Sequence, residues 1–149
     1  MKKIHIIALL LLIVLTLCSC GTQKVESDEH FGYDLDYVKD NFNPSGFEVV
    51  IDNDKAVRYE KGDTTITFSV IYDEKYIDAF YIVSDSKEEA ITAIESVNDV
   101  LDAYTDECTG IDFLEGASDL GSITSENIKF GFIPDFEGDK FLFEVIKYK

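Results

Sequence analysis

Alternation with a period of two, interrupted by short polar turns, constrains this chain most. Between residues 47 and 83 apolar residues recur at every second position. Phe47, Val49 and Ile51 come first, and Val57 and Tyr59 follow, with Arg58 and Glu60 facing the other way. Ile66, Phe68, Val70 and Tyr72 alternate with Thr65, Thr67, Ser69 and Ile71 in the clearest run. A side-chain period of two belongs to strands with one covered face. The segment 76–83 is apolar on both faces except at Asp78, which predicts a strand covered on both sides. Asp52-Asn53-Asp54, Lys61-Gly62-Asp63 and Asp73-Glu74-Lys75 supply turn chemistry between the runs. Short turns between successive strands predict antiparallel hairpins in a meander.

Two helical stretches flank the meander. Leu35, Val38 and Phe42 share one face of a short helix over 34–42, with Asp34 as its N-cap and Pro44 past its end. The segment 86–105 predicts the long helix. Ser86 and Glu89 fit a capping box, in which each side chain would satisfy a free N–H of the first turn. Ala90, Ile94, Val97, Leu101 and Tyr104 form its apolar stripe, widened by Ile91, Ala93 and Val100; Glu95, Asn98, Asp99 and Asp102 lie opposite. The segment 109–125 reads as a long irregular loop with one helical turn near 113–117. Two strands follow, marked by Ile128, Phe130 and Phe132 and by Phe141, Phe143 and Val145, and joined by 134–139. The expected fold is α+β in the order α-β-β-β-β-α-β-β. It is an antiparallel sheet of about six strands with one long amphipathic helix packed on it. A single domain over 34–149 is expected.

The first twenty residues read differently. Lys2 and Lys3 precede an apolar run over 6–17, and Cys18-Ser19-Cys20-Gly21 ends it. That is the layout of a secretory signal peptide, too short for a comfortable membrane crossing. Leu17-Cys18-Ser19-Cys20 resembles the lipobox of bacterial lipoproteins. The resemblance implies a signal peptide over 1–19, cleavage between Ser19 and Cys20, and a diacylglycerol thioether on Cys20. It also implies a protein held by lipid on the outer face of the bacterial cell membrane. Two chains anchor stably where one binds only marginally. Residues 21–33 read as a flexible polar tether with a reach of roughly 20 Å.

Charge and residue usage narrow the function. The chain carries 13 basic and 30 acidic residues, and removing Lys2 and Lys3 leaves 11 against 30, a formal charge of −19. Nucleic acid is not expected as a partner, because its binding rests on cations that neutralise phosphates. The same charge repels anionic headgroups, so the lipid must hold the membrane. Cys108 is the only thiol left after Cys18 and Cys20, so no internal disulfide is expected, and it reads as a buried residue. His5 leaves with the signal and His30 falls in the tether, so the domain is expected to hold no histidine. That argues against Ser-His-Asp or Cys-His catalysis and against zinc. No Walker or dinucleotide glycine motif occurs, and neither a cofactor nor a metal is expected.

Three weaker features remain. Ser84-Asp85-Ser86-Lys87 matches the S-x-x-K motif of penicillin-recognising enzymes but reads better as helix capping. Asp52 with Asp54, and Asp135 with Glu137 and Asp139, gather oxygens of the kind calcium takes, without an EF-hand pattern. Eight Tyr and eleven Phe accompany no Trp. Tyr59, Tyr72, Tyr76, Tyr81 and Tyr148 are candidates for a binding face if several share the open side of the sheet. The expected function is a small, acidic, non-catalytic binding domain whose partner is an envelope protein or a glycan. A carboxylate-dependent hydrolase acting on envelope polymers is the alternative, since paired acids suffice for that chemistry.

Overall fold

The computed structural model describes residues 24–72, 74–101 and 110–148. The fold class is α+β. One antiparallel sheet of seven strands carries three helices, α1 (Leu35–Asn41), α2 (Lys87–Leu101) and α3 (Gly110–Gly116). The strands are β1 (Glu48–Asp52), β2 (Ala56–Lys61), β3 (Thr64–Ser69), β4 (Ala79–Ser84), β5 (Gly121–Ser125), β6 (Ile128–Glu137) and β7 (Lys140–Lys147). Their order across the sheet is β1-β2-β3-β4-β7-β6-β5. β1 to β4 form the meander that the alternation predicts. The chain then leaves for α2 and α3 and returns at the far edge, and β7 closes the sheet beside β4.

Local chemistry explains the turns and caps. Asp34 Oδ1 accepts the Tyr37 amide at 2.9 Å and caps α1 as expected. Asn53, between the two acids of its turn, does the turning work: its Oδ1 accepts the amides of Lys55 and Ala56 at 2.9 and 3.0 Å. Gly62 turns the β2–β3 hairpin at φ 57°, a conformation few L-residues adopt.

The α2 stripe behaves as the spacing predicts, with Ala90, Ile94, Val97 and Leu101 buried. Only half of its capping box forms. Ser86 Oγ accepts the Glu89 amide at 3.3 Å, but the Glu89 carboxylate accepts the Thr64 hydroxyl at 2.7 Å instead of turning back. Ser84 Oγ takes over the Ser86 amide at 3.1 Å. This ties the helix start to β3 and β4.

All three helices cover one face. α1 lies on β2, α2 on β3 and β4, and α3 on β6. Phe68, Phe80, Phe130 and Phe143 are fully buried in this core. Phe80 packs at 6.4 Å from both Phe68 and Phe143.

Four expectations are corrected. The loop predicted over 109–125 contains α3 and β5. β5 carries little periodic signal because Gly-Ser-Ile-Thr-Ser holds one large apolar residue and, as an edge strand, lies mostly exposed; backbone pairing to β6 makes it a strand. The fourth strand begins at Ala79, not Tyr76, and its second face is not covered by any described helix. Part of the predicted tether is docked. Phe31 is buried against Phe80, its amide bonds Ile77 O at 2.9 Å, and Val25 N bonds Gly32 O at 2.9 Å. Apolar burial and backbone pairing hold 25–33 where composition alone suggests a free linker. His30 is therefore inside the fold, with its ring stacked 4.5 Å from Tyr76 and Nδ1 accepting the Gly32 amide at 3.0 Å. The predicted helical residues 102–105, Cys108, Ser19 and Cys20 lie outside the described residues.

Candidate functional site: the open face of the sheet

The alternation that buries one face sets the composition of the other. Arg58, Thr67, Tyr81, Glu144 and Gly131 stand opposite one another on β2, β3, β4, β7 and β6, a polar row across the sheet. The β6–β7 hairpin adds a wall. Its register is irregular between Ile133 and Glu137, and Asp135 takes φ 52°. Such an irregularity bends a strand out of the sheet plane. Phe136, Glu137 and Lys140 thereby reach a groove of about 620 Å³ whose sheet side includes Arg58, Thr67 and Tyr81. Phe136 remains 43% exposed there, unusual for so large an apolar ring.

The charged groups of this face are of two kinds. Lys129 pairs with Glu144 at 2.8 Å, and this bond raises the Lys129 pKa. Glu144 can lie flat across β6 because residue 131 is glycine; a Cβ there would stand 2.6 Å from Glu144 Cγ. Lys140 at the rim pairs with Asp63 at 3.0 Å, which raises its pKa in the same way. Arg58, the chain's sole arginine, is different. Its Nε donates to Thr67 Oγ1 at 3.0 Å, and among the described residues it makes no other hydrogen bond and no ion pair. Its Nη groups have no hydrogen-bond partner among the described residues. Burial first, then the Glu144 charge, pushes the Tyr81 phenol up to about 12, so it stays a neutral donor at physiological pH.

The five candidate tyrosines divide. Tyr81 lies in the groove, and Tyr72 and Tyr148 stand on the same side, within electrostatic reach of the Lys129–Glu144 pair. Tyr72 is 72% exposed and Tyr148 bonds Thr124 at 3.3 Å. Tyr59 does not belong with them: it is buried on the helical side, edge-on to Phe42 at 4.9 Å. The alternation that puts Val57 in the core puts Tyr59 there too. Tyr76 is also removed from the face, in a bridge to Asp34 and against His30. Sequence reading missed Arg58 and Phe136 as site residues. Arg58 was readable from its place opposite Val57 and Tyr59, whereas Phe136 depends on the bend.

The remaining motifs are placed by their contacts. Ser84 is buried with its Oγ bonded to Thr64 at 2.8 Å, while the Lys87 ammonium bonds Ala117 O and lies over Phe132. The two ends of the S-x-x-K motif thus face different partners. Asp52 accepts Lys39 at 3.1 Å, and among the described residues no three acid, His or Cys side chains gather as metal ligands do. Among the described residues no helix is long and apolar enough to cross a membrane. Comparison with protein-family models, curated proteins and solved structures returns no match.

Proposed function

We propose that this chain is a lipid-anchored bacterial surface lipoprotein whose acidic domain is a non-catalytic binding module, held by Cys20 and meeting its partner on the open face of the sheet. The observation that carries the binding half is the groove: a polar sheet face, walled by a bent hairpin, with an exposed aromatic ring and a guanidinium that has no carboxylate partner among the described residues. Sites of this kind combine apolar contact with a few placed polar groups. The anchor half rests on the lipobox resemblance. With a formal charge of −19 after that cleavage, the domain has no electrostatic attraction of its own to an anionic surface, which supports a lipid as the anchor.

Two measurements test the two halves separately. The mass of the membrane-extracted protein should correspond to a chain beginning at Cys20 plus lipid; an unmodified chain retaining residues 1–19 refutes the anchor. A photo-crosslinking residue placed at Phe136 in intact cells should give a discrete adduct that the same residue at Glu95, on the outer side of α2, does not give. Identical patterns from both positions refute the open face as the binding surface.

A further inference from the structure

We infer that the groove binds a carboxylate-bearing glycan of the cell wall, receiving a sugar carboxylate on the free Nη edge of Arg58 and a sugar ring face on Phe136. This names the ligand class of the proposed binding face and rests on that reading.

Arg58 carries the argument. A chain with 30 acids and one arginine offers that arginine many partners, yet it takes none of their carboxylates. Its Nε bond to Thr67 holds the fork to the sheet and leaves the Nη edge, which can donate two parallel bonds to a carboxylate, on the side away from that contact. This bond restrains the side chain and so lowers the entropy lost when a ligand binds.

The surroundings choose the body of the ligand. Thr65, Thr67 and Ser69 line the groove beside Arg58, with Glu60 and Glu137 as acceptors. Hydroxyls and carboxylates of this density match a polyhydroxylated ligand, and Phe136 offers the exposed ring on which a sugar packs. A phosphate-rich polymer needs several free cations, and the second cation of the groove, Lys140, is engaged by Asp63. A run of acidic side chains would meet Glu60 and Glu137. A neutral sugar body with isolated carboxylates avoids both conflicts. Within the wall, the lactyl carboxylate of muramic acid has this character on strands from which the amide-linked stem peptide has been removed.

The test uses the full-length lipoprotein purified in detergent and titrated calorimetrically with peptide-free glycan strands of alternating N-acetylglucosamine and N-acetylmuramic acid. The same strands with the lactyl carboxylates reduced to alcohols are the control. Wild type should bind the native strands about 10- to 100-fold more tightly than the reduced ones, the range expected for charge-assisted bonds. Arg58→Gln should erase that difference by weakening only the native interaction. Phe136→Ala, at an exposed rim position where misfolding is not expected, should weaken both. Equal affinity for native and reduced strands, or an unchanged preference in Arg58→Gln, overturns the inference. No binding of either strand overturns it as well. A Phe136-specific crosslink that persists in cells under any of these outcomes leaves the binding face standing with a different ligand.

Discussion

Asp78 is buried, and its two oxygens close the loop between β3 and β4 by accepting the amides of Ile71 at 2.9 Å and Tyr72 at 2.5 Å. Replacing it by alanine strands both N–H groups. At about 1.5 kcal/mol for each bond to a charged acceptor, the loss is about 3 kcal/mol. A domain of about 120 residues loses about 3–4 °C of melting temperature per kcal/mol, so Asp78→Ala should melt about 10 °C lower. Asparagine is the sharper probe. Its single oxygen can accept one amide, but its NH₂ then faces the other as donor against donor. Asp78→Asn should therefore cost about 2–3 kcal/mol despite its matching shape. Calorimetric melting gives the total. Hydrogen exchange at Ile71 and Tyr72 separates the loop from the rest, since those amides should lose protection before the β3 and β4 ladders do. If Asp78→Asn melts within about 2 °C of wild type, with both amides still protected, the carboxylate does not hold this loop.

Three further outcomes follow from the same geometry. The Tyr81 phenol, held near 12 by burial, keeps its proton in the folded state after an unfolded chain has lost it near 10; its contribution to stability is present below pH 10 and is lost as pH rises to about 12, so Tyr81→Phe should flatten that part of the stability–pH curve. Tyr59 Oη is buried with no hydrogen-bond partner among the described residues; Tyr59→Phe should be neutral or stabilising by up to about 1 kcal/mol in denaturant melts, and a loss above about 1 kcal/mol would reveal a partner. Cys20→Ala should leave an unlipidated precursor by mass spectrometry, and processing and retention like the wild type would remove the anchor from the proposal.

The sequence by itself determined the elements whose signal is periodic. Strands β2 to β4, the α2 stripe and the two final strands were legible because burial of one face imposes a period of two or 3.6 on side chains; β1 matches the alternation as a strand, but Val49 and Val50 are both exposed at this edge. The same alternation placed Arg58 and Thr67 on the open face, and it should have placed Tyr59 in the core beside Val57. Tertiary structure alone decided what depends on pairing partners and bends. β5 is a strand through its ladder with β6, a bond between backbones that leaves no mark on side-chain pattern. The docking of 25–33 comes from Phe31 meeting Phe80 across the fold. The groove exists because an irregularity after Ile133 turns Phe136 toward a face that Arg58, on a strand far earlier in the chain, already occupied. Local sequence fixes which face a residue takes. Long-range pairing decides which faces meet, because that contact is made between residues with no local relation in the chain.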